Sequence, residues 1–119
     1  MRLAIFGSRT LNDERVVDAI INAVDKHMPS VIVTAGEPDG VCAVARDFAR
    51  LTPIPLLLMF VDERRCSGKY HWRSVAVYNN CDHVLLIHDG CSKGTANEIK
   101  LAVKMKIPHT VIILEQQNA

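Results

Sequence analysis

The sequence predicts an α/β protein, a Rossmann-like three-layer α/β/α sandwich with a mainly parallel sheet of about five strands. Five short runs, at residues 3–6, 31–35, 55–60, 84–87 and 110–114, are rich in Val, Ile and Leu. They are nearly continuous rather than alternating, as strands buried on both faces should be. Stretches with apolar residues at helical spacing fill the gaps between them. The 119 residues, 49% of them hydrophobic, make one domain spanning 1–119. A chain of this size buries roughly two-thirds of its unfolded surface and leaves no room for a second domain.

The first strand, LAIF, is followed by GSR and then by a helix over residues 12–27. In that helix Val16, Val17, Ala19, Ile20, Ile21, Ala23 and Val24 recur at helical spacing, with Asn12 or Asp13 as N-cap. The second strand, VIVTA, ends in the turn-forming GEPDG, and residues 40–51 place Val41, Val44, Ala45, Phe48 and Ala49 on one side. PLLLMF is the third strand. A weaker helical pattern over residues 70–80 uses Trp72, Val75, Ala76 and Tyr78. After the fourth strand, VLLI, residues 95–106 turn Ile99, Ala102, Val103 and Met105 inward and Lys100, Lys104 and Lys106 outward. TVIIL closes the sheet, and QQNA reads as a frayed tail. Strands that alternate with helices imply right-handed crossovers, hence a parallel sheet with helices on both faces.

Composition excludes several functions. A formal charge of +1, from 14 Lys+Arg and 13 Asp+Glu, supplies no general attraction to nucleic acid, and six aromatics make a poor stacking platform. Single-stranded DNA binding is therefore the weakest reading. No run approaches the roughly 20 apolar residues of a membrane span, and the start MRLAIFGSR has no apolar stretch of signal length. A cytoplasmic location follows as the expectation, with no membrane partner. Cys42, Cys66, Cys81 and Cys91 form no C-x-x-C pair and are expected as free thiols. Cys81, His83, His88 and Cys91 are close in sequence, but a strand between the histidines would hold them about 16 Å apart. No metal site is expected.

In an open parallel sheet, ligands collect beyond the carboxyl ends of the strands, where strand order reverses. Gly7, Ser8 and Arg9 follow the first strand; the glycine admits a close backbone approach and the arginine offers a planar donor fork for phosphate or carboxylate. Gly36, Glu37 and Gly40 follow the second, where Rossmann folds often set an acid against a ribose hydroxyl. Residues 62–73, DERRCSGKYHWR, carry Arg64, Arg65, Lys69 and Arg73 around Gly68 and read as a mobile flap or a solvated loop. Arg73 opens a helix beside the site.

After the fourth strand comes DGCSKGT, which holds Asp89, Gly90, Ser92, Lys93, Gly94 and Thr95. A Walker loop needs lysine after the second glycine, whereas Lys93 precedes Gly94, so P-loop chemistry is excluded. The dinucleotide fingerprint G-x-G-x-x-G is missing after the first strand, which disfavours a nicotinamide cofactor, and no cofactor is expected. What remains is a helix N-terminus with Thr95 near its cap, an anion site by geometry and dipole. Glu98 is either a capping-box partner of Thr95 or a carboxylate facing the ligand.

GSR after the first strand, a glycine turn after the second, an arginine opening the third helix and D-G-x-S-x-G-T-x-x-E after the fourth resemble the SLOG superfamily. This is the Rossmann-like group of the LOG phosphoribohydrolases, the DprA proteins and the small YspA/YpsA-related domains, of which the YspA-like branch fits best. The resemblance covers nearly the whole chain. It implies Arg73 and Glu98 as a catalytic pair for cleaving a base–ribose bond, and a phosphate on the Gly94 and Thr95 amides. This sequence has Asp89-Gly90-Cys91 where the LOG loop starts P-G-G, and Ser74 where the YspA-like branch often has Asn and LOG has Lys.

Two functions follow as expectations. The first is a binding module for a nucleotide or nucleotide-derived ligand, acting as a sensor or in nucleotide metabolism. The second is an N-glycosidase, a phosphoribohydrolase or deoxyribosyltransferase-like enzyme acting on nucleoside monophosphates through an oxocarbenium-like state that Glu98 would stabilise. A small two-sided sandwich leaves much surface to cover, which makes a homo-oligomer the expectation.

Overall fold

The alternating pattern is realised as nine elements in a computed structural model, which describes residues 1–59 and 69–115, without the side chains of residues 69–73. In chain order they are β1 (Arg2–Gly7), α1 (Glu14–His27), β2 (Val31–Ala35), α2 (Gly40–Arg50), β3 (Leu56–Met59), α3 (Lys69–Asn79), β4 (His83–His88), α4 (Lys93–Lys104) and β5 (His109–Ile113). The five strands form one parallel sheet in the order β3-β2-β1-β4-β5. Of the flap or loop read over residues 62–73, residues 62–68 lie outside the described residues and Lys69–Arg73 instead open α3, while Phe60 and the side chains of Trp72 and Arg73 also lie outside the described part.

Strand order dictates the layers. From β1 the chain steps outward to β2 and β3, then crosses to the other side of β1 for β4 and β5. With right-handed crossovers the first two helices cover one face and the last two the other. The core divides accordingly. Val16, Ala19 and Ile20 of α1 pack with Val41, Ala45 and Ala49 of α2 over Leu3, Ile5, Ile32, Leu85 and Ile87. On the opposite face Val77 and Tyr78 of α3 and Ala102 of α4 cover Ala4, Phe6, Val33, Val84 and Leu86. Consecutive residues of β1 and β4 thus enter opposite cores, which explains why their sequences are continuously apolar.

Several local expectations are corrected. Asp13, not Asn12, caps α1, its carboxylate accepting from the Arg15 amide at 2.9 Å. Ile21 of α1 is exposed rather than packed inward. Val103 points outward and is 60% exposed, because Ile99, Ala102 and Met105 already complete the buried stripe of α4. Among the described side chains of α3, Ser74, Val77 and Tyr78 are buried, with Val75 and Ala76 only half-buried. Tyr78 sets its ring edge against Phe6, with centroids 6.2 Å apart, and its hydroxyl donates to the Glu98 carbonyl at 2.9 Å. One aromatic residue thereby ties α3 to both the sheet and α4.

No helix among the described residues is long and apolar enough to cross a membrane.

Candidate functional site

Strand order reverses between β1 and β4, so the loops leaving these neighbours diverge to opposite faces and leave a crevice. Two backbone constraints shape its floor. A Cβ on Gly7 would meet the Ile87 carbonyl oxygen at 2.4 Å and the Val41 side chain at 2.6 Å, so this glycine lets β1 pass close to β4 and α2. Gly40 has φ +74°, and a Cβ there would lie 2.3 Å from Arg9 Cα. Both glycines, of which Gly7 was expected to admit a ligand, are thus required by the protein's own packing.

The β1 and β4 loops are joined by hydroxyl chemistry. Thr10 donates to Asp89 Oδ2 at 2.7 Å, and the Asp89 amide donates to Ser8 Oγ at 3.0 Å. Ser8 Oγ and Thr95 Oγ1 lie 3.1 Å apart, with only 1% and 3% of the two residues exposed. The Asp89 carboxylate also accepts from the amides of Cys91 and Ser92 at 2.9 and 2.8 Å and from the Ser92 hydroxyl at 2.7 Å. Burial pushes this carboxyl up, but the hydrogen bonds from Thr10, Cys91 and Ser92 outweigh it and hold it well below the usual carboxylate range. Asp89 is the organiser of the loop, with both oxygens already engaged.

Thr95 is not at the cap. Ser92 is the N-cap of α4, which places Thr95 third in the helix, and its hydroxyl turns to Ser8. The capping box of Thr95 with Glu98 is therefore not formed. The Ser92 amide is taken by Asp89, which leaves the amides of Lys93, Gly94 and Thr95 as the first-turn donors with no intrahelical acceptor. The starts of α1 and α2 differ. Asp13 caps α1, and the Val41 amide of α2 donates to the Ser8 carbonyl at 3.3 Å.

A cavity of about 570 Å³ lies against this turn, lined by Gly7, Ser8, Arg9 and Thr10 from the β1 side, Glu37 after β2, Ser74 on α3 and Ser92 onward on α4. Along α4 the wall continues through Gly94, Thr95, Asn97, Glu98, Lys100, Leu101 and Lys104. A Cβ built on Gly94 meets nothing within 4 Å, so the first turn of α4 is open toward the space in front of it. Glu98 Oε2 is shielded from solvent. Arg9 donates from Nε to Asp39 at 2.7 Å, an exposed pair that anchors the mouth.

Of the residues singled out from sequence, Gly7, Ser8, Arg9, Glu37, Ser92, Gly94, Thr95 and Glu98 line this cavity. Gly36, Gly40, Asp89, Gly90 and Lys93 are not part of the lining, and the Arg73 side chain lies outside the described residues. Thr10, Ser74, Asn97, Lys100, Leu101 and Lys104 were not foreseen. The α4 members recur at three- and four-residue spacing from Gly94, a signal present in the sequence.

The described thiols are poor nucleophiles at neutral pH. Burial raises Cys42, burial and the Asp82 charge hold Cys81 at about 11, and the Asp89 charge raises Cys91. His83 and His88 stand at opposite ends of β4.

No protein-family model and no curated protein matches the chain. Among solved structures it is similar to the Moco carrier protein from Chlamydomonas reinhardtii, with 15% identity and a TM-score of 0.60 over 93% of this chain and 75% of that one. At this identity the likeness shows the fold, a Rossmann-like α/β sheet covered by helices on both faces.

Proposed function

We propose that the protein binds a nucleotide or nucleotide-derived ligand at the carboxyl edge of the parallel sheet, with a phosphate on the first turn of α4. The observation that carries this reading is a convergence of uncommitted donors on one cavity. Two of the first-turn amides, those of Gly94 and Thr95, belong to residues on its wall, at the positive end of the helix dipole. Ser8 and Thr95 add one more donor. Two hydroxyls own two protons, and one joins the pair. Ser8 Oγ already accepts from the Asp89 amide, so the second proton is available to an anion whichever way the pair is oriented.

Gly94 leaves room for phosphate oxygens to approach the amides, and Glu37 and Glu98 on the same cavity suit sugar hydroxyls. The SLOG-like order of motifs supports the same ligand class. Calorimetry and thermal shift across nucleoside monophosphates, ADP-ribose and cyclic nucleotides test the reading. Saturable binding tighter than millimolar is expected for at least one of these ligands. Its absence across the set refutes the reading.

One observation favours turnover as a second reading. Glu98 lies one helical turn beyond the phosphate cradle, on the cavity wall, with one carboxylate oxygen shielded from solvent. A carboxylate there stabilises positive charge developing on a ribose, the requirement of N-glycosidic cleavage. Release of free base from a nucleoside monophosphate, abolished in Glu98→Gln, supports this step. Release that survives the substitution rules it out.

A further inference from the structure

We infer that the ligand carries a second anionic group at the end away from its phosphate, held by Lys100 and Lys104. The inference rests on the nucleotide reading above and extends it along α4. The helix wall of the cavity presents its chemistry in a fixed order. Gly94 and Thr95 offer amides, Asn97 and Glu98 offer polar groups, and then Lys100 and Lys104 offer cations on either side of the apolar Leu101. With a rise of about 1.5 Å per residue, Gly94 and Lys104 are about 15 Å apart. That order matches a phosphate, then a sugar, then a base with a further negative charge beside it.

A lysine in the last turn of a helix is favoured by the dipole, which accounts for Lys104 alone. Lys100 lies before that turn, four residues from Lys104, where two like charges repel by a few tenths of a kcal/mol. An anion between them turns that repulsion into attraction. Glu98 precedes both lysines along α4, so the far end of that wall is the cationic one.

The test compares three ligands by calorimetry: 5′-AMP, its N6-dicarboxyethyl derivative, and an N6-butyl derivative of similar length without charge. The dicarboxylate is expected to bind about three- to tenfold tighter than 5′-AMP, the range of two exposed ion pairs. The advantage of the dicarboxylate over 5′-AMP should vanish in the double variant Lys100→Gln/Lys104→Gln and shrink at high salt. Both lysines are exposed, so the variant keeps its fold, which circular dichroism checks. Equal affinity for 5′-AMP and the dicarboxylate, or an equal gain from the butyl derivative, overturns the second-anion inference and leaves the phosphate reading intact. Failure of all three to bind removes both.

Discussion

Replacing Gly94 with alanine separates stability from binding, because the two should move in opposite directions. Gly94 is the second residue of α4, and a Cβ there meets nothing within 4 Å. Alanine is the better helix former, and a Gly→Ala change without strain adds about 0.4–1 kcal/mol. Near a helix end the lower half of that range applies, which for 119 residues raises the melting temperature by about 2 °C. The same methyl stands in the open space before the first-turn amides. A phosphate pushed outward loses at least one charge-assisted hydrogen bond, worth about 1.5–3 kcal/mol. Affinity should fall about 10- to 150-fold. Scanning calorimetry of the free protein and titration with the tightest nucleotide measure both quantities. An alanine variant that is more stable yet binds within about twofold of the parent would refute the placement of the phosphate.

Other perturbations have equally definite signs. Asp89→Asn should cost about 1–3 kcal/mol at neutral pH in urea melts, since the amide reproduces only part of the carboxylate's four hydrogen bonds. Its folded carboxyl is held below the ordinary value, so its contribution is complete above about pH 4 and is lost as pH falls further. Acid titration of the parent should show that loss and the Asn variant should lack it. His83 shows the opposite chemistry. Burial, then the neighbouring charges of His27, Lys26 and His109, lower its pKa in the fold. The unfolded chain binds the proton more readily, so stability should fall as pH drops below about 6.5. A His83→Gln variant should flatten that slope. Met28 ends α1 with φ 47° and is 81% exposed, so Met28→Gly should relieve left-handed strain with little packing lost and add about 0.5–1 kcal/mol. A decrease in stability would show that the Met28 side chain contributes contacts its exposure conceals.

The fold was legible because its information is local. Continuous apolar runs such as VLLI can only be strands covered on both sides, and the glycine and hydroxyl clusters fall at their carboxyl ends. The position of the crevice followed from the general rule for parallel sheets, and eight expected residues line it. Fine details depended on contacts between distant segments. Thr95 reads as a helix cap from its neighbours, but Asp89 takes the Ser92 amide and pulls the helix start back to Ser92. Asp89 reads as a ligand contact until Thr10, 79 residues away, is seen to share its carboxylate. Gly7 reads as room for a ligand, yet the atoms it makes room for belong to Ile87 and Val41. Val103 fits a helical stripe that was one residue too wide. The lysines of α4 face solvent as read, but sequence spacing does not reveal that the cavity extends along that helix to Lys100 and Lys104.

The central claim, that a nucleotide phosphate rests on the first turn of α4, is tested most directly by following backbone amide resonances during titration with a nucleoside monophosphate. Saturable shifts should be largest at Lys93, Gly94 and Thr95, with smaller ones at Ser8, and they should be absent when the dephosphorylated nucleoside is added. Shifts centred on another surface, or equal responses to nucleotide and nucleoside, would contradict it.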